Sequence, residues 1–355
     1  DRIAAEKAEL VRVLRVIMNL VPVNRFMREV TGDVGALPWV GAWAHIVLLG
    51  GELMLLFAED QRCMFYLYAL PGAWRRWFYF GRRVSGRWVG LETDAMVPLR
   101  SEVVPMGWLL AVMVAQHVHR NQMIWTGPGA GLAASEEWRK DRLVPLVLAE
   151  LVRKWWQVYV DNWDAGKIGP WAEMAKLVGM PDERQEAVRR AWLAGGIPRA
   201  EDKAVEGEVR SVSLGKELDG KGGWEAPSQE KVVEVLGTCL WLMTQEVVAE
   251  RGLRVGLGGL VHLMMEQRPM FSLLGRVFEE LEGMGSVGCL GASAEDEMLA
   301  ACAALPLAVS DLRAPIDPVV GVTDACESGG GACESQGLSG LAGLSERLSL
   351  EKTVP

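Results

Sequence analysis

The 355-residue chain has only six cysteines, four histidines and no surplus of positive charge. Its cysteines (Cys63, Cys239, Cys289, Cys302, Cys326, Cys333) form no Cys-x-x-Cys pair, and none stands at ligand spacing from a histidine. That argues against a structural zinc site and against a disulfide framework, leaving reduced thiols and an intracellular, unsecreted protein as the expectation. The 37 Lys and Arg against 46 Asp and Glu give a net charge of −9, the reverse of the basic footprint that phosphate contact favours. The chain also lacks a signal-peptide pattern, and it opens on Asp rather than Met, which suggests a piece of a longer polypeptide. No repeat with a period of about 20–50 residues is present. The most apolar stretch, residues 36–58, is interrupted by Pro38, His45, Gly50, Gly51 and Glu52. A membrane span needs about 20 predominantly apolar residues, so this stretch reads as a buried helix followed by a buried strand, with no membrane partner. The loop of Gly127, Gly129 and Gly131 lacks the Gly-Lys-Ser/Thr ending of a phosphate-binding P-loop.

What the chain does have is size and aromatic weight. Its length allows two or three structural units, half its residues are hydrophobic, and it carries 15 tryptophans, which implies extensive aromatic packing or stacking surface. Charge is unevenly spread. Arg75, Arg76, Arg82, Arg83 and Arg87 fall in one short segment, whereas acids crowd residues 201–234 and 279–297. The string Trp74-Arg75-Arg76-Trp77-Phe78-Tyr79-Phe80-Gly81-Arg82-Arg83 interleaves bases with aromatics. It suits phosphate neutralisation with base stacking, and equally a β-segment with buried aromatics and exposed arginines.

Along the chain, Arg15–Leu20 has the pattern of a half-buried strand, broken by Pro22 and Asn24. Leu53–Phe57 forms a central strand running into Asp60, and the spacing predicts a helix from Trp108 to Val118 and another from Glu136 to about Lys154. Next comes a hairpin whose turn is Asp161-Asn162, two residues that tolerate positive φ. Helix is expected over 182–193, short strands around Val209–Leu214, and a long helical region over 228–305 with Val232, Val235, Leu236, Cys239, Leu240 and Met243 on one face. Beyond Asp324 the sequence turns Gly- and Ser-rich.

Two carboxylates follow apolar runs: Asp60 after Leu53–Phe57, and Asp161 in Tyr159-Val160-Asp161-Asn162 after Trp155, Trp156, Val158 and Val160. Carboxylates at the ends of neighbouring strands can hold paired divalent ions, the core of phosphoryl-transfer chemistry. Phe65 stands five residues beyond Asp60, and Arg15, Asn19 and Asn24 are spaced by four and five. Pro105-Met106-Gly107-Trp108 is followed by Gln116; then come Gly196-Ile197-Pro198 with Asp202-Lys203, Ser213-Leu214-Gly215, and Val320-Gly321-Val322-Thr323-Asp324. Taken singly, each has an ordinary structural reading: a hairpin turn, a buried phenylalanine, a helix start, a solvated surface lysine.

In collinear order these motifs resemble the polymerase region of a retroelement reverse transcriptase, of the long-terminal-repeat or tyrosine-recombinase retrotransposon kind. The resemblance implies an α+β right-hand polymerase, with partial fingers over 1–50, a palm with fingers insertions over 51–225, a helical thumb or connection over 226–305 and a truncated RNase H-like segment over 306–355. It implies an RNA-directed DNA polymerase acting on an RNA or DNA template with primer and on dNTPs, through two Mg²⁺ ions (Mn²⁺ as substitute). Asp60 and Asp161 would bind the metals and Lys203 would approach the triphosphate as general acid. Arg15 would contact the triphosphate, and Phe65 would be the steric gate against a ribose 2′-OH. Met106, Gly107 and Gln116 would pack beneath the nascent base pair. Asp324 would be the first carboxylate of an RNase H site whose others have no room in the remaining residues, so no RNase H activity is expected. The family's pattern is broken at Asn19 and Asn162, where it has acids, and at Met106, where Gln is frequent. These departures and the acidic balance leave a second reading, a catalytically impaired relic that only binds nucleic acid. The sequence does not specify an oligomeric state.

Overall fold

The computed structural model describes residues 18–28, 32–141, 153–314, 319–326 and 329–336. A single helical turn, α1 (Val21–Asn24), precedes the long strand β1 (Glu52–Asp60). Strands β2 (Tyr79–Ser85) and β3 (Met96–Arg100) form a ribbon, and helix α2 spans Ala111–Ile124. Strands β4 (Lys154–Tyr159) and β5 (Asn162–Pro170) make a hairpin, followed by the short α3 (Trp171–Met174) and α4 (Glu183–Ala194). Four short strands come next: β6 (Val205–Glu208), β7 (Arg210–Ser213), β8 (Lys216–Asp219) and β9 (Trp224–Pro227). Helices α5 (Gln229–Met243), α6 (Glu250–Leu263), α7 (Gly275–Gly283) and α8 (Ala292–Ala304) form a helical unit, with β10 (Val248–Ala249) and β11 (Val287–Gly288) paired across it. Strand β12 (Ser310–Asp311) and the hairpin of β13 (Val319–Cys326) and β14 (Gly329–Gln336) complete the described chain.

The first sheet has the order β4-β5-β1-β6 and the second β12-β9-β8-β7, both antiparallel throughout. Strand β1 alternates in the way a two-sided central strand must. Leu53, Leu55 and Phe57 face α2 and α4, meeting Met123, Val188 and Trp192, while Met54 and Leu56 face Trp43, Trp155 and Leu218. Covering both faces explains why the sequence shows an unbroken apolar run there. Much of the tryptophan content is spent in this core: Trp43, Trp155, Trp156, Trp163 and Trp192 are fully buried, and Trp138 stacks on Trp155 at 4.9 Å. Gly166 pairs with Trp155 in register, and a Cβ there would lie 2.4 Å from the indole, so only glycine admits that ring. Helix α4 is capped by Asp182, which accepts from the backbone N–H groups of Arg184 and Gln185 at 3.0 and 2.9 Å.

Several expectations need correction. Residues 40–45 form a six-residue 3₁₀ helix rather than a long apolar one, and no helix among the described residues is long and apolar enough to cross a membrane. Helix α2 starts at Ala111, not Trp108, because the Pro105–Leu110 segment is held in turns by Trp108 N–H to Pro105 O and Ala111 N–H to Trp108 O. The expected helix from Glu136 to Lys154 does not hold at its two ends: Glu137 is extended and bridges Trp156, and Lys154 already belongs to β4, while residues 142–152 lie outside the described residues. Burial of Trp138 against Trp155 keeps the first of these ends out of a helix. Met18–Leu20 is not strand, and the rest of that expected strand lies outside the described residues. On α5, Leu240 is half exposed and Leu242 takes its place in the core with Val235 and Cys239.

Candidate functional site

Asp60 ends β1, and in register it faces Asn162, the first residue of β5. Because Tyr159 also pairs with Asn162 across the β4–β5 hairpin, the connecting residues are Val160 and Asp161. The left-handed residue is Val160, at φ 57°, and not the Asp161-Asn162 pair that the sequence suggested. A β-branched residue in that region costs roughly 1–3 kcal/mol and persists only where its surroundings fix it. Here α2 does so. The buried Gln116 donates Nε2–H to Val158 O at 2.7 Å and accepts the Val160 N–H at 2.9 Å. One turn on, His119 lies 2.8 Å by its Nδ1 from Val160 O. Since a carbonyl only accepts, Nδ1 carries the proton, and burial holds the imidazole neutral by lowering its pKa to about 4. Its other nitrogen, buried against Trp192, has no partner among the described residues.

The Asp60 and Asp161 strand ends are tied directly. Gln61, fully buried, donates its backbone N–H to Asp161 O at 3.0 Å. Its side chain donates to Gln122 at 3.0 Å and accepts the Tyr68 hydroxyl at 3.1 Å. Burial, then the Asp161 charge, pushes the Tyr68 phenol well above its ordinary range. Lys203 arrives from the loop after α4. Glu59, buried on the helix side of β1, accepts two hydrogen bonds from Arg199 at 2.8 and 3.0 Å, one from Arg189 at 2.7 Å and one from Gln185 at 2.9 Å. Ala200 N–H donates to Asp60 O at 2.9 Å. With its loop so anchored, Lys203 donates Nζ–H to Asp60 Oδ2 at 2.8 Å. That bond, with the charges of Asp60, Asp161 and Asp202, raises the lysine's pKa.

Asp164, further along β5, is buried, accepting from Ser213 Oγ at 2.8 Å and Gln157 Nε2 at 3.3 Å. Burial raises its pKa to about 6, and the Asp60 charge adds to that. Among the described residues no group of three or more His, Cys, Asp or Glu is gathered as a metal cage. What the edge offers is two carboxylates and a neutral amide, which fits Mg²⁺ that takes one or two protein carboxylates and completes its shell from phosphate and water.

Other sequence-selected residues sit around this edge. Gly107 has φ 95°, and a Cβ there would lie 2.6 Å from Met18 O, so the position requires glycine. Asn24 clasps the same loop, donating to Gly107 O at 2.9 Å and accepting the Leu109 N–H at 3.0 Å. Met106 is half buried. Phe65 lies in a 3₁₀ turn, Met64–Tyr66, and packs half buried against the cluster of Met18, Leu20, Phe78 and Trp108. Asn19 accepts the Val21 N–H at 3.3 Å, and Arg15 lies outside the described residues. Leu214 and Gly215, φ 49° and 79°, form the tight turn of the β7–β8 hairpin. Asp324 stands opposite Gly331 in the β13–β14 hairpin, which pairs with no other strand among the described residues. Sequence reasoning missed Gln61, Tyr68 and His119. A histidine and a glutamine three residues apart on one apolar helix face were the available signal.

This architecture is a reverse transcriptase-like α+β fold. No protein-family model matches the chain, and no curated protein matches it by sequence. A solved structure of the foamy viral protease-reverse transcriptase dRH, in complex with double-stranded DNA, shares the fold at a TM-score of 0.53 and 12% identity, over 90% of this chain and 46% of that one. A second foamy viral protease-reverse transcriptase structure, in complex with an RNA/DNA hybrid, matches at a TM-score of 0.51 and 11% identity, over 82% of this chain and 32% of that one. The chain therefore spans less than half the length of these solved chains.

Proposed function

We propose that the chain is the polymerase region of a retroelement reverse transcriptase, an RNA-directed DNA polymerase that extends a primer on an RNA or DNA template. One observation carries this reading: Asp60 and Asp161, 101 positions apart in sequence, meet at adjoining strand ends with Lys203 bonded to Asp60. In this reading the first sheet with α2 and α4 is the palm, the ribbon of β2 and β3 belongs to the fingers, and α5–α8 form the thumb or connection. The β13–β14 hairpin is then the start of an RNase H-like segment.

Asp60 and Asp161 would hold Mg²⁺, which supplies charge neutralisation and a lowered pKa for the primer 3′-OH when bound. Lys203 is the countercharge of Asp60 in the free protein. With Asp60 engaged in holding a cation, the Lys203 ammonium would be free to approach the triphosphate and give a proton to the leaving pyrophosphate. Gln116 and His119 hold the turn that presents Asp161, so the carboxylate is pre-oriented. Phe65 and Gly107 border the place of the incoming dNTP, with Met106 beside them.

A second reading is favoured by Asn162. It faces Asp60 in register, so the missing carboxylate falls at the site itself and weakens its hold on cations. In that case the chain is an impaired relic that binds nucleic acid without extending it. Primer extension by purified chain separates the two. Mg²⁺-dependent dNTP incorporation that Asp60→Ala lowers by about 10²-fold or more supports the polymerase. Duplex binding without any incorporation would establish the relic instead.

A further inference from the structure

Residues 71–91 contain five arginines and no aspartate or glutamate, in a chain whose net charge is −9. Arg75 is paired with Glu102 and Arg87 with Asp94. Arg76, Arg82 and Arg83 are exposed and have no anionic partner among the described residues. Trp77, on which Arg76 lies, helps to line a cavity of about 500 Å³, a size typical of ligand sites, together with Phe26, Met27, Arg28, Trp74 and Trp108 among others.

Its floor is fixed and its rim is open. Trp108 is buried, donates Nε1–H to Met27 Sδ at 2.7 Å, and meets Trp74 edge-on at 5.7 Å and Phe78 at 5.4 Å. At the rim, Phe26 is 91% and Trp77 59% exposed, and the Arg76 guanidinium lies 5.2 Å from the Trp77 ring centre. Large aromatic faces left in water beside the unpaired Arg76, with no carboxylate among the described lining residues, select an anionic ligand that carries flat apolar groups. Nucleic acid has both. A duplex hides its base faces in the stack, so the complementary form is a strand whose bases are unpaired. The cavity also adjoins the candidate site: Trp108 directly follows Gly107, and Asn24 of α1 holds that loop.

We propose that this cavity binds the bases of an unpaired nucleic-acid strand. Trp77 and Phe26 are the stacking faces, and Arg28, Arg76, Arg82 and Arg83 contact the phosphates. In naming that strand as template not yet copied, the assignment rests on the polymerase reading; the binding itself does not.

The test is anisotropy titration of the purified chain with a labelled oligo(dT) of about 15 nucleotides and, separately, with a blunt DNA duplex. Trp77→Ala should weaken oligo(dT) binding by about 5- to 100-fold, and Trp77→Phe, which keeps a π-face, should restore most of it. Duplex affinity should stay within about twofold, since the cavity reads unstacked bases. Replacing Arg82 and Arg83 by Ala should reduce the slope of log K against log salt by about 1.4. Oligo(dT) affinity unchanged in Trp77→Ala, or absent in the wild type, overturns the proposal. If strand binding depends on Trp77 while primer extension is absent, the polymerase reading fails alone. Extension with Trp77-independent strand binding fails the cavity alone.

Discussion

Two clusters of buried charge invite comparison: the Asp60 edge of the first sheet, and the seam where the second sheet meets the helical unit. At the seam, Lys216 and Glu266 are both fully buried and bonded to each other, and Lys216 also donates to Leu263 O at 3.3 Å. Glu225 beside them is buried too, and burial with the Glu266 charge pushes its carboxyl well above the usual range. At the edge, by contrast, the lysine bonded to Asp60 has a side chain 58% exposed. A closed cluster has no room to exchange a partner and serves to hold β8 and β9 against α6. An open one can trade its lysine for a cation from solvent. Buried charge alone therefore does not mark a site; an exchangeable countercharge does.

The sharpest contrast comes from removing each lysine. Lys216→Ala leaves Glu266 buried and uncompensated and should destabilise the fold by about 3–5 kcal/mol in urea titrations. Lys203→Ala should change stability by about 1 kcal/mol or less, because the lysine end of the pair is open to solvent and water or a dissolved cation can take its place beside Asp60. Equal losses would erase the distinction between the two clusters.

Next in size is a pH effect inside the edge. The Asp164 carboxyl titrates at about 6 in the fold, above its value near 3.8 in the unfolded chain. The native state thus holds the proton more tightly, and its contribution is complete below pH about 4 and lost as pH rises through about 6. Asp164→Asn, which still accepts from Ser213 and Gln157, should flatten the stability profile across that window by about 2–3 kcal/mol. An unchanged profile would place the titration elsewhere.

The smallest effect concerns the turn. His119→Leu removes the donor to Val160 O and should lower primer extension about tenfold, with His119→Asn recovering part of it. Extension by His119→Leu at the wild-type level would leave Gln116 as the sole support of the Val160 conformation.

The part of this arrangement legible in the sequence is its outline. An apolar run ending in a carboxylate marks a central strand reaching solvent, so Asp60 and Asp161 stand out from the residue pattern alone. Their partners do not, because they come from distant elements. His119 looks like one more residue of a core helix until the turn it meets is known. Glu59 neighbours Asp60, yet strand alternation sends it to the opposite face, where Arg199 anchors the Lys203 loop. The misplaced start of the Glu136–Lys154 helix has the same origin: local periodicity favours helix there, and Glu137 is held extended where Trp138 stacks on Trp155. Composition alone could not foretell which tryptophans pack around β4, such as Trp155 and Trp156, and which stay exposed, such as Trp77 under Arg76.

The central claim is that Asp60 and Asp161 together hold divalent cations. Titration of Mn²⁺ into the chain with primer, template and a matching dNTP, followed by electron paramagnetic resonance of free Mn²⁺, tests it without requiring turnover. Two bound ions per chain are predicted, with binding lost in both Asp60→Ala and Asp161→Ala and tightened in Asn162→Asp. Mn²⁺ binding that is the same in the wild type and both alanine variants would contradict the account.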